Sequence, residues 1–162
     1  MQTFLPYPDY VESAKILDRS RLGKQRVEVY QILRTLLGFS KGWANHPCVK
    51  QWRGYEWQLY IYGLTICQEW RNRGYKDTVR NKISDMMNTY SALEHPNRIP
   101  PWFGNEEYHK SHRSNLLRKD PVWYGQWGWK EPDNLPYVWP VSLGTDNLTY
   151  IEQEAKRKGL IK

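Results

Sequence analysis

The clearest helical pattern in the chain lies between residues 18 and 37. Apolar residues recur there at the spacing of one helix face, and Gly38 is placed to end the helix. The apolar stripe consists of Leu22, Val29, Leu33, Leu36 and Leu37. Arg26 falls inside this stripe, where a guanidinium is unfavourable unless it is paired or faces a wet cleft. The pattern therefore predicts a helix that carries either a structural ion pair or a polar site.

Two interpretations of Arg26 remain open from its position. In the first, the guanidinium forms a buried pair with a carboxylate such as Glu56, which falls on the apolar side of its own predicted helix. In the second, this end of the helix lines a pocket around the carboxylate of Glu28. The cations that would meet phosphates in that pocket are Arg19, Arg21, Lys24 and Arg26.

The remaining pattern predicts further helices and no strand. An extended start, residues 1–8, precedes a short helix capped by Asp9. A long, mostly apolar helix is expected from the Asn-His-Pro stretch at 45–47 to about Arg73, and another over 76–90. A fifth helix begins at Asn105 or Glu106 and runs through Leu117, and a polar helix starts at about Asn147. The expected fold class is all-α, with residues 1–162 forming one domain.

Composition and charge favour a polyanionic partner. The net charge is +7, and the 24 Lys and Arg residues are spread over the chain. A folded basic domain favours polyanionic partners, because binding of phosphates releases counterions. No stretch approaches the about 18 apolar residues of a membrane span, and the start is unlike a signal peptide. We therefore expect a cytoplasmic monomer in which Cys48 and Cys67 are free buried thiols.

Two further groups of side chains are candidates for DNA contacts. His109 and His112 stand three residues apart, but no metal-binding pattern accompanies them or His46, so we expect no metal. Phosphate contacts by His46, His112 and Arg113, or ordinary solvated side chains, are the alternatives. The tract 120–130 holds Trp123, Tyr124, Trp127 and Trp129 beside Arg118, Lys119 and Lys130. Such a tract suits base stacking with backbone neutralisation, although an aromatic plug on a small core has the same composition.

These segments together resemble the pyrimidine dimer DNA glycosylases of the endonuclease V type. In that family one helix carries His-Leu, four residues, then Arg-Glu, and the Glu is the catalytic acid. The stretch Arg-Leu-Gly-Lys-Gln-Arg-Val-Glu aligns without a gap and places Glu28 on that acid, with Val27 where the family has Arg. The family's Pro-x-Trp-Tyr tract, which contacts DNA, is similar to residues 121–128.

The resemblance also implies a mechanism. The family uses its N-terminal α-amine as the nucleophile, which places the Met1 amine at the reacting carbon and Gln2 on a basic, DNA-contacting position. Met1 should be retained, because Gln2 is too large for methionine removal. The implied activity is excision of damaged or modified pyrimidines through a Schiff base, with AP-lyase activity and no cofactor. Lys24 is the alternative nucleophile, and a DNA-binding module without chemistry is the alternative function.

Overall fold

The computed structural model describes residues 1–89 and 97–140, and within these ranges it contains helices and no strands. This confirms the all-α class. The helices are α1 (Tyr10–Ile16), α2 (Arg19–Leu36), α3 (Pro47–Lys50), α4 (Glu56–Asn72), α5 (Val79–Thr89), α6 (Glu106–Lys119) and α7 (Pro121–Gly125). The helix expected from about Asn147 lies outside the described residues. No helix in the described ranges is long and apolar enough to cross a membrane.

Short polar side chains start most of these helices. Asp9 accepts a hydrogen bond from the Glu12 N–H, as the sequence predicts, and Asp18 caps α2 by accepting from the Arg21 N–H. Asn105 and Asp120 cap α6 and α7 in the same way. Each cap satisfies a backbone N–H that has no partner within the helix. Gly38 follows the end of α2 with a φ of 87°, a conformation that glycine adopts without strain.

The long helix expected from residue 45 to residue 73 is wrong, because the chain turns between α3 and α4. His46, rather than Asn45, caps α3, and its Nδ1 accepts a hydrogen bond from the Cys48 N–H at 3.0 Å. Gly54 then takes a φ of 85° and donates its N–H to the Glu56 carboxylate at 3.1 Å. Cys48 and Cys67 consequently lie on different helices, and both are buried free thiols, as predicted.

Helices α2 and α4 form the centre of the core. The stripe on α2 is buried as predicted, and it meets α4 most closely at Gly63. A Cβ at Gly63 would lie 2.6 Å from Cγ1 of Val29, so a larger residue there would force the two helices apart. Helix α1 packs against α4, and α5 packs against both α2 and α4. This arrangement fixes α2 firmly, and with it the polar flank that carries Gln25 and Glu28.

Arg26 forms the structural ion pair of the first interpretation, although its partner differs from the expected one. Its guanidinium donates to Asp77 at 2.6 Å and lies 4.4 Å from the centre of the Trp70 ring. Burial alone would raise the pKa of Asp77, but the hydrogen bonds from Arg26 and from the N–H groups of Arg80 and Val79 lower it. The carboxylate is therefore charged, and Arg26 ties α2 to the start of α5. The ion-pair partner of Arg26 is thus Asp77 and not the expected Glu56.

Candidate functional site at the chain N-terminus

The first six residues form an extended, largely buried arm. Gln2 to Pro6 are buried, and side chains from the surrounding helices hold their backbone groups. On the α6 side, the Leu5 N–H donates to Nδ1 of His112 at 2.9 Å, and Nδ1–H of His109 donates to the Leu5 carbonyl at 2.8 Å. Arg113 donates to the Pro6 carbonyl at 2.7 Å. The arm is therefore anchored by specific bonds, unlike most chain termini.

Gln25 of α2 holds the other side of the arm. Its amide NH2 donates to the Gln2 carbonyl at 2.8 Å and to the Glu28 carboxylate at 2.9 Å. Its amide oxygen accepts from the Phe4 N–H at 2.9 Å and from the Tyr62 hydroxyl at 2.8 Å. One buried side chain thus fixes the position of the first residues relative to Glu28. Sequence reasoning gave Gln25 no role, because no feature of its local pattern shows that the arm lies over it.

Glu28 lies directly beside the start of the chain. Its carboxylate accepts the Gln25 bond and a longer one, 3.4 Å, from the Gln2 N–H, and Nζ of Lys24 lies 3.8 Å from its other oxygen. Burial raises the pKa of Glu28, and the nearby N-terminal ammonium, the Gln2 N–H, Lys24 and Gln25 only partly oppose this effect. A carboxyl group with a raised pKa holds a proton more readily than an ordinary glutamate, which suits a group that accepts and returns one.

Met1, Gln2 and Glu28 open onto a cavity of about 520 Å³. Its wall carries three cationic side chains, Arg21, Lys24 and Lys119, in addition to the polar groups of the arm. Burial and the neighbouring charges of Arg21, Arg118 and Lys24 lower the pKa of Lys119, which indicates that these cations crowd together. Three carboxylates, Asp18, Glu28 and Asp120, line the same cavity, and Arg21 pairs with Asp18 at 3.2 Å, so Lys24 and Lys119 are the cations most available to an anion at the cavity mouth. The full lining is Met1, Gln2, Phe4, Asp18, Ser20, Arg21, Lys24, Gln25, Glu28, Lys119, Asp120 and Tyr137.

Aromatic rings lie on another part of the cavity rim. Tyr137 lines the cavity, and the Trp139 ring lies 5.5 Å from it, measured between ring centres. His46 comes next, 5.9 Å from Trp139. Burial and the nearby N-terminal ammonium lower the pKa of His46, so this ring is close to the Met1 amine and is neutral at pH 7. Sequence analysis named His46 among the DNA contacts but missed Tyr137, which is far from it in the chain.

The predicted residues divide between this cavity and a second groove. Met1, Gln2 and Glu28, which the resemblance names, meet in the cavity with Arg21 and Lys24, which the helix pattern names as phosphate contacts. Arg19, Trp123 and Trp127 line a neighbouring groove of about 590 Å³, which also contains Arg73 and Tyr75. The Arg19 guanidinium lies 5.0 Å from the centre of the Tyr75 ring. Asp18 and Ser20 belong to both surfaces, so the groove continues from the cavity along the start of α2.

Three of the expected DNA contacts are instead internal. His112 is fully buried, and its Nδ1 is occupied by the arm. The Arg113 side chain is 9% exposed and pairs with Glu106 at 2.6 Å and Glu131 at 2.8 Å. Tyr124 is also buried; its hydroxyl donates to the Asp18 carboxylate and accepts from the Asp18 N–H at 3.1 Å. These side chains position the arm and the start of α2, and the expectation that they touch DNA directly is corrected.

Three other predicted DNA contacts, Arg26, Gln2 and Trp123, form hydrogen bonds within the protein. Arg26 faces Asp77 and does not line the cavity. Gln2 is mostly buried, and its amide oxygen accepts from the Thr3 N–H at 3.0 Å, although the residue borders the cavity. Trp123 is partly exposed and donates its indole N–H to the Ile16 carbonyl at 2.7 Å, which leaves a ring face directed to the groove that it lines. Its partner Trp127 lies 6.5 Å away and is similarly exposed.

The fold and the site define a small helical protein. Its buried N-terminal arm lies beside a carboxylate of α2, in a cavity that also carries cationic side chains. The sequence model of the pyrimidine dimer DNA glycosylase family matches residues 1–82, half of the 162 residues. The chain belongs to this family, and at that level it is a DNA repair glycosylase with DNA as its substrate. No curated protein and no solved structure matches the chain. The matched region contains the arm and all of α2, including Gln25 and Glu28.

Proposed function

We propose that the chain excises damaged or modified pyrimidines from double-stranded DNA by using the Met1 α-amine as nucleophile, and that it then cleaves the strand as an AP lyase. The observation that carries this proposal is the bond from the Gln2 N–H to the Glu28 carboxylate inside the cationic cavity. It places the first residue beside a buried carboxylate with a raised pKa, at a site open to a ligand. The first 82 residues, which match the family, contain both partners.

The glycosylase step begins when the neutral amine donates its electron pair to C1′ of the lesion nucleotide. The bond between C1′ and the base breaks, and the base leaves with the bonding electrons and takes up a proton. The amine nitrogen loses one of its two protons to Glu28, the C1′–O4′ bond opens, and O4′ takes up that proton, which leaves a protonated imine between Met1 and C1′; the proton on the departed base comes from water.

Glu28 is the proton carrier in this scheme. Its carboxylate takes the proton released by the amine and returns it to O4′, and while charged it stabilises the positive charge that develops on the sugar. In the lyase step the same carboxylate removes a proton from C2′, and the electrons of that bond expel the 3′ phosphate from C3′. The raised pKa favours the protonated form between these transfers. No metal or organic cofactor is needed for either step.

Phosphate binding falls to the cations that line the cavity and the neighbouring groove. We assign this role to Arg21, Lys24, Lys119 and Arg19, because they line the two connected surfaces. Trp123 and Trp127 provide ring faces in the groove for unpaired bases. Lys24 remains the alternative nucleophile, but its side chain is 72% exposed and lies against Glu28 as a counterion. Those features favour a phosphate-binding role for Lys24.

Borohydride trapping tests the proposal. Borohydride delivers hydride to C1′ of the imine and converts it to a stable amine, so an active protein becomes covalently attached to its DNA. We expect an adduct on a duplex that contains one abasic site or one thymine dimer, and digestion should place the DNA on the Met1 peptide. Attachment at Lys24 would reassign the nucleophile. Binding without an adduct on any damaged duplex would favour a DNA-binding module without chemistry.

A further inference from the structure

Trp43 is the most unusual exposed residue near the site. It lies in the loop 37–46 between α2 and α3, and its side chain is large and apolar yet 61% exposed. It also has a φ of 63°, and in residues 1–89 and 97–140 no other residue except glycine has a positive φ. A β-carbon is strained in this conformation, and such strain persists only where surrounding contacts impose it. The loop therefore presents an indole to solvent at a cost to its own backbone.

Hydrogen bonds on both sides of Trp43 impose this conformation. The Thr35 hydroxyl donates to the Gly42 carbonyl at 2.6 Å, and Arg53 donates to the Ala44 carbonyl at 2.8 Å. The Trp43 carbonyl accepts from the His46 N–H at 2.9 Å. These bonds fix the backbone on each side of the residue while its ring stays outside the core. An aromatic ring that is held rigidly outside the core needs little ordering when a planar partner binds.

The ring is also connected to the candidate active site. Its centre lies 6.0 Å from that of His46, which is close enough to the N-terminal ammonium to feel its charge. From His46 the aromatic row continues through Trp139 to Tyr137 on the cavity wall. Trp43 thus marks the outer end of a row of rings, and the inner end opens on Met1 and Glu28.

We propose that Trp43 inserts into the base stack of the duplex at the lesion and fills the gap left when a nucleotide is extruded toward the cavity. This inference rests on the proposed function and adds to it the group that opens the duplex. The reacting C1′ is out of reach inside an intact stack, so an extruding protein must compensate the stacking that it disrupts. An indole at the outer end of the row of rings that leads to the cavity supplies a planar replacement. Trp43 is therefore a positioning residue and does not touch the reacting atoms.

Two substitutions separate insertion from a structural role. Trp43→Gly removes the ring and suits the positive φ, so its Tm should stay within about 2 °C of wild type. Trp43→Phe keeps a smaller ring in the same place. Ile99→Ala, at another exposed apolar residue, is the control for loss of exposed apolar surface. Each protein is mixed in excess with a duplex that carries one thymine dimer and a 2-aminopurine next to the base opposite it.

Wild-type protein should raise the 2-aminopurine fluorescence because the reporter loses its neighbours in the stack. We expect Trp43→Gly to abolish most of this rise. It should also slow base release from the duplex by about tenfold or more, which corresponds to the loss of one stacking contact. Trp43→Phe should recover part of both signals, and Ile99→Ala should match wild type. Equal fluorescence and rates for wild type and Trp43→Gly would overturn the inference, as would a wild-type protein that leaves the fluorescence unchanged.

A second substrate distinguishes failure of this inference from failure of the proposed function. Borohydride trapping on a single-stranded oligonucleotide with an abasic site needs the amine but no opening of a duplex. Wild type and Trp43→Gly should form this adduct at equal rates. A tenfold slower adduct with Trp43→Gly would place Trp43 in the active site itself and refute insertion. No adduct with wild type would refute the amine mechanism, whereas the fluorescence signal would still decide the role of Trp43.

Discussion

Replacing Gln25 by alanine removes the side chain that joins the N-terminal arm to Glu28. Four hydrogen bonds are lost, from Gln25 to Gln2, Glu28, Phe4 and Tyr62. At about 0.5–1.5 kcal/mol net for each bond, their sum is roughly 2–6 kcal/mol. Two features lower the total: the Tyr62 hydroxyl has a single proton, which it can give wholly to the Phe4 carbonyl at 2.8 Å once Gln25 is absent, and water in the cavity can reach Gln2. We therefore expect a loss of about 2–4 kcal/mol.

This loss corresponds to a fall in Tm of roughly 4–16 °C, at about 2–4 °C per kcal/mol for a chain of this size. The arm should also lose its fixed position, and a misplacement of about 1 Å at a reacting group costs about a hundredfold in rate. Thermal denaturation and the rate of borohydride trapping measure the two effects. Hydrogen exchange at the Phe4 N–H, whose acceptor is removed, shows whether the arm has detached.

Two comparison variants sharpen the test. Gln25→Glu keeps the oxygen that accepts from Phe4 and Tyr62, but it turns a second oxygen toward the Gln2 carbonyl and the Glu28 carboxylate. It should therefore impair trapping as severely as alanine does. Gln68→Ala removes an exposed glutamine from α4 and should change the stability by no more than about 0.5 kcal/mol. The reasoning fails if Gln25→Ala unfolds at the wild-type temperature and forms the adduct at the wild-type rate.

Four further predictions concern the arm, the acid, the cations and the buried histidine. Extending the chain by one residue before Met1 should abolish the adduct and spare DNA binding; full-rate cleavage by the extended protein would exclude the amine. Glu28→Gln should bind DNA normally and lower base release by about 10² or more in single-turnover assays, and normal turnover would exclude it as the acid. Alanine at Arg21, Lys24 or Lys119 should reduce the slope of log K against log salt by about one each, whereas Arg113→Ala should leave the slope unchanged and lower Tm. Burial lowers the pKa of His112 to about 3 in the folded protein, so the unfolded chain binds the proton more tightly. The contribution of neutral His112 to the free energy of unfolding is therefore complete above about pH 6.5 and is lost as the pH falls toward 3. His112→Asn retains an acceptor for Leu5 without a titrating ring, so its Tm should fall less between pH 6.5 and 4; equal falls would refute the role of His112.

The features predicted correctly from the sequence are those with local causes. The cap at Asp9 and the end of α2 before Gly38 depend on neighbouring residues, so their pattern is visible in a short window. The break between α3 and α4 escaped prediction because the apolar residues continue through it. Trp52 and Gln51 are buried in the turn itself, so the pattern remains apolar where the helix stops.

The site was predicted in part because its members come from separate elements. Met1 and the catalytic role of Glu28 came from the resemblance, and Arg21 and Lys24 came from the pattern of the helix. Lys119 and Tyr137 reach the same cavity from distant parts of the chain. The buried surface of α2 is also wider than its apolar stripe, since the arm covers the polar flank with Gln25 and Glu28. Periodicity placed both residues outside the stripe and could not show that another segment lies over them. The same limit applies to His112 and Arg113, whose partners lie in the arm and in the segment after α7.

The negative charge of Glu28 destabilises the folded state, because the carboxylate is buried. Burial raises its pKa, so the folded state binds the proton more tightly than the unfolded chain does. The favourable contribution of protonated Glu28 is complete below its ordinary pKa and is lost as the pH rises through the raised value. At neutral pH a neutral glutamine should therefore be the more stable residue, since its oxygen can still accept from Gln25. If Glu28 were only a structural partner of Lys24, Glu28→Gln would lower the stability at neutral pH, because it would remove an ion pair. We expect Glu28→Gln to have a Tm above wild type at pH 7, a Tm equal to wild type near pH 4, and no base release. That result would show that Glu28 is retained for its chemistry although it lowers the stability of the fold. A lower Tm at pH 7 would assign Glu28 to the ion pair instead.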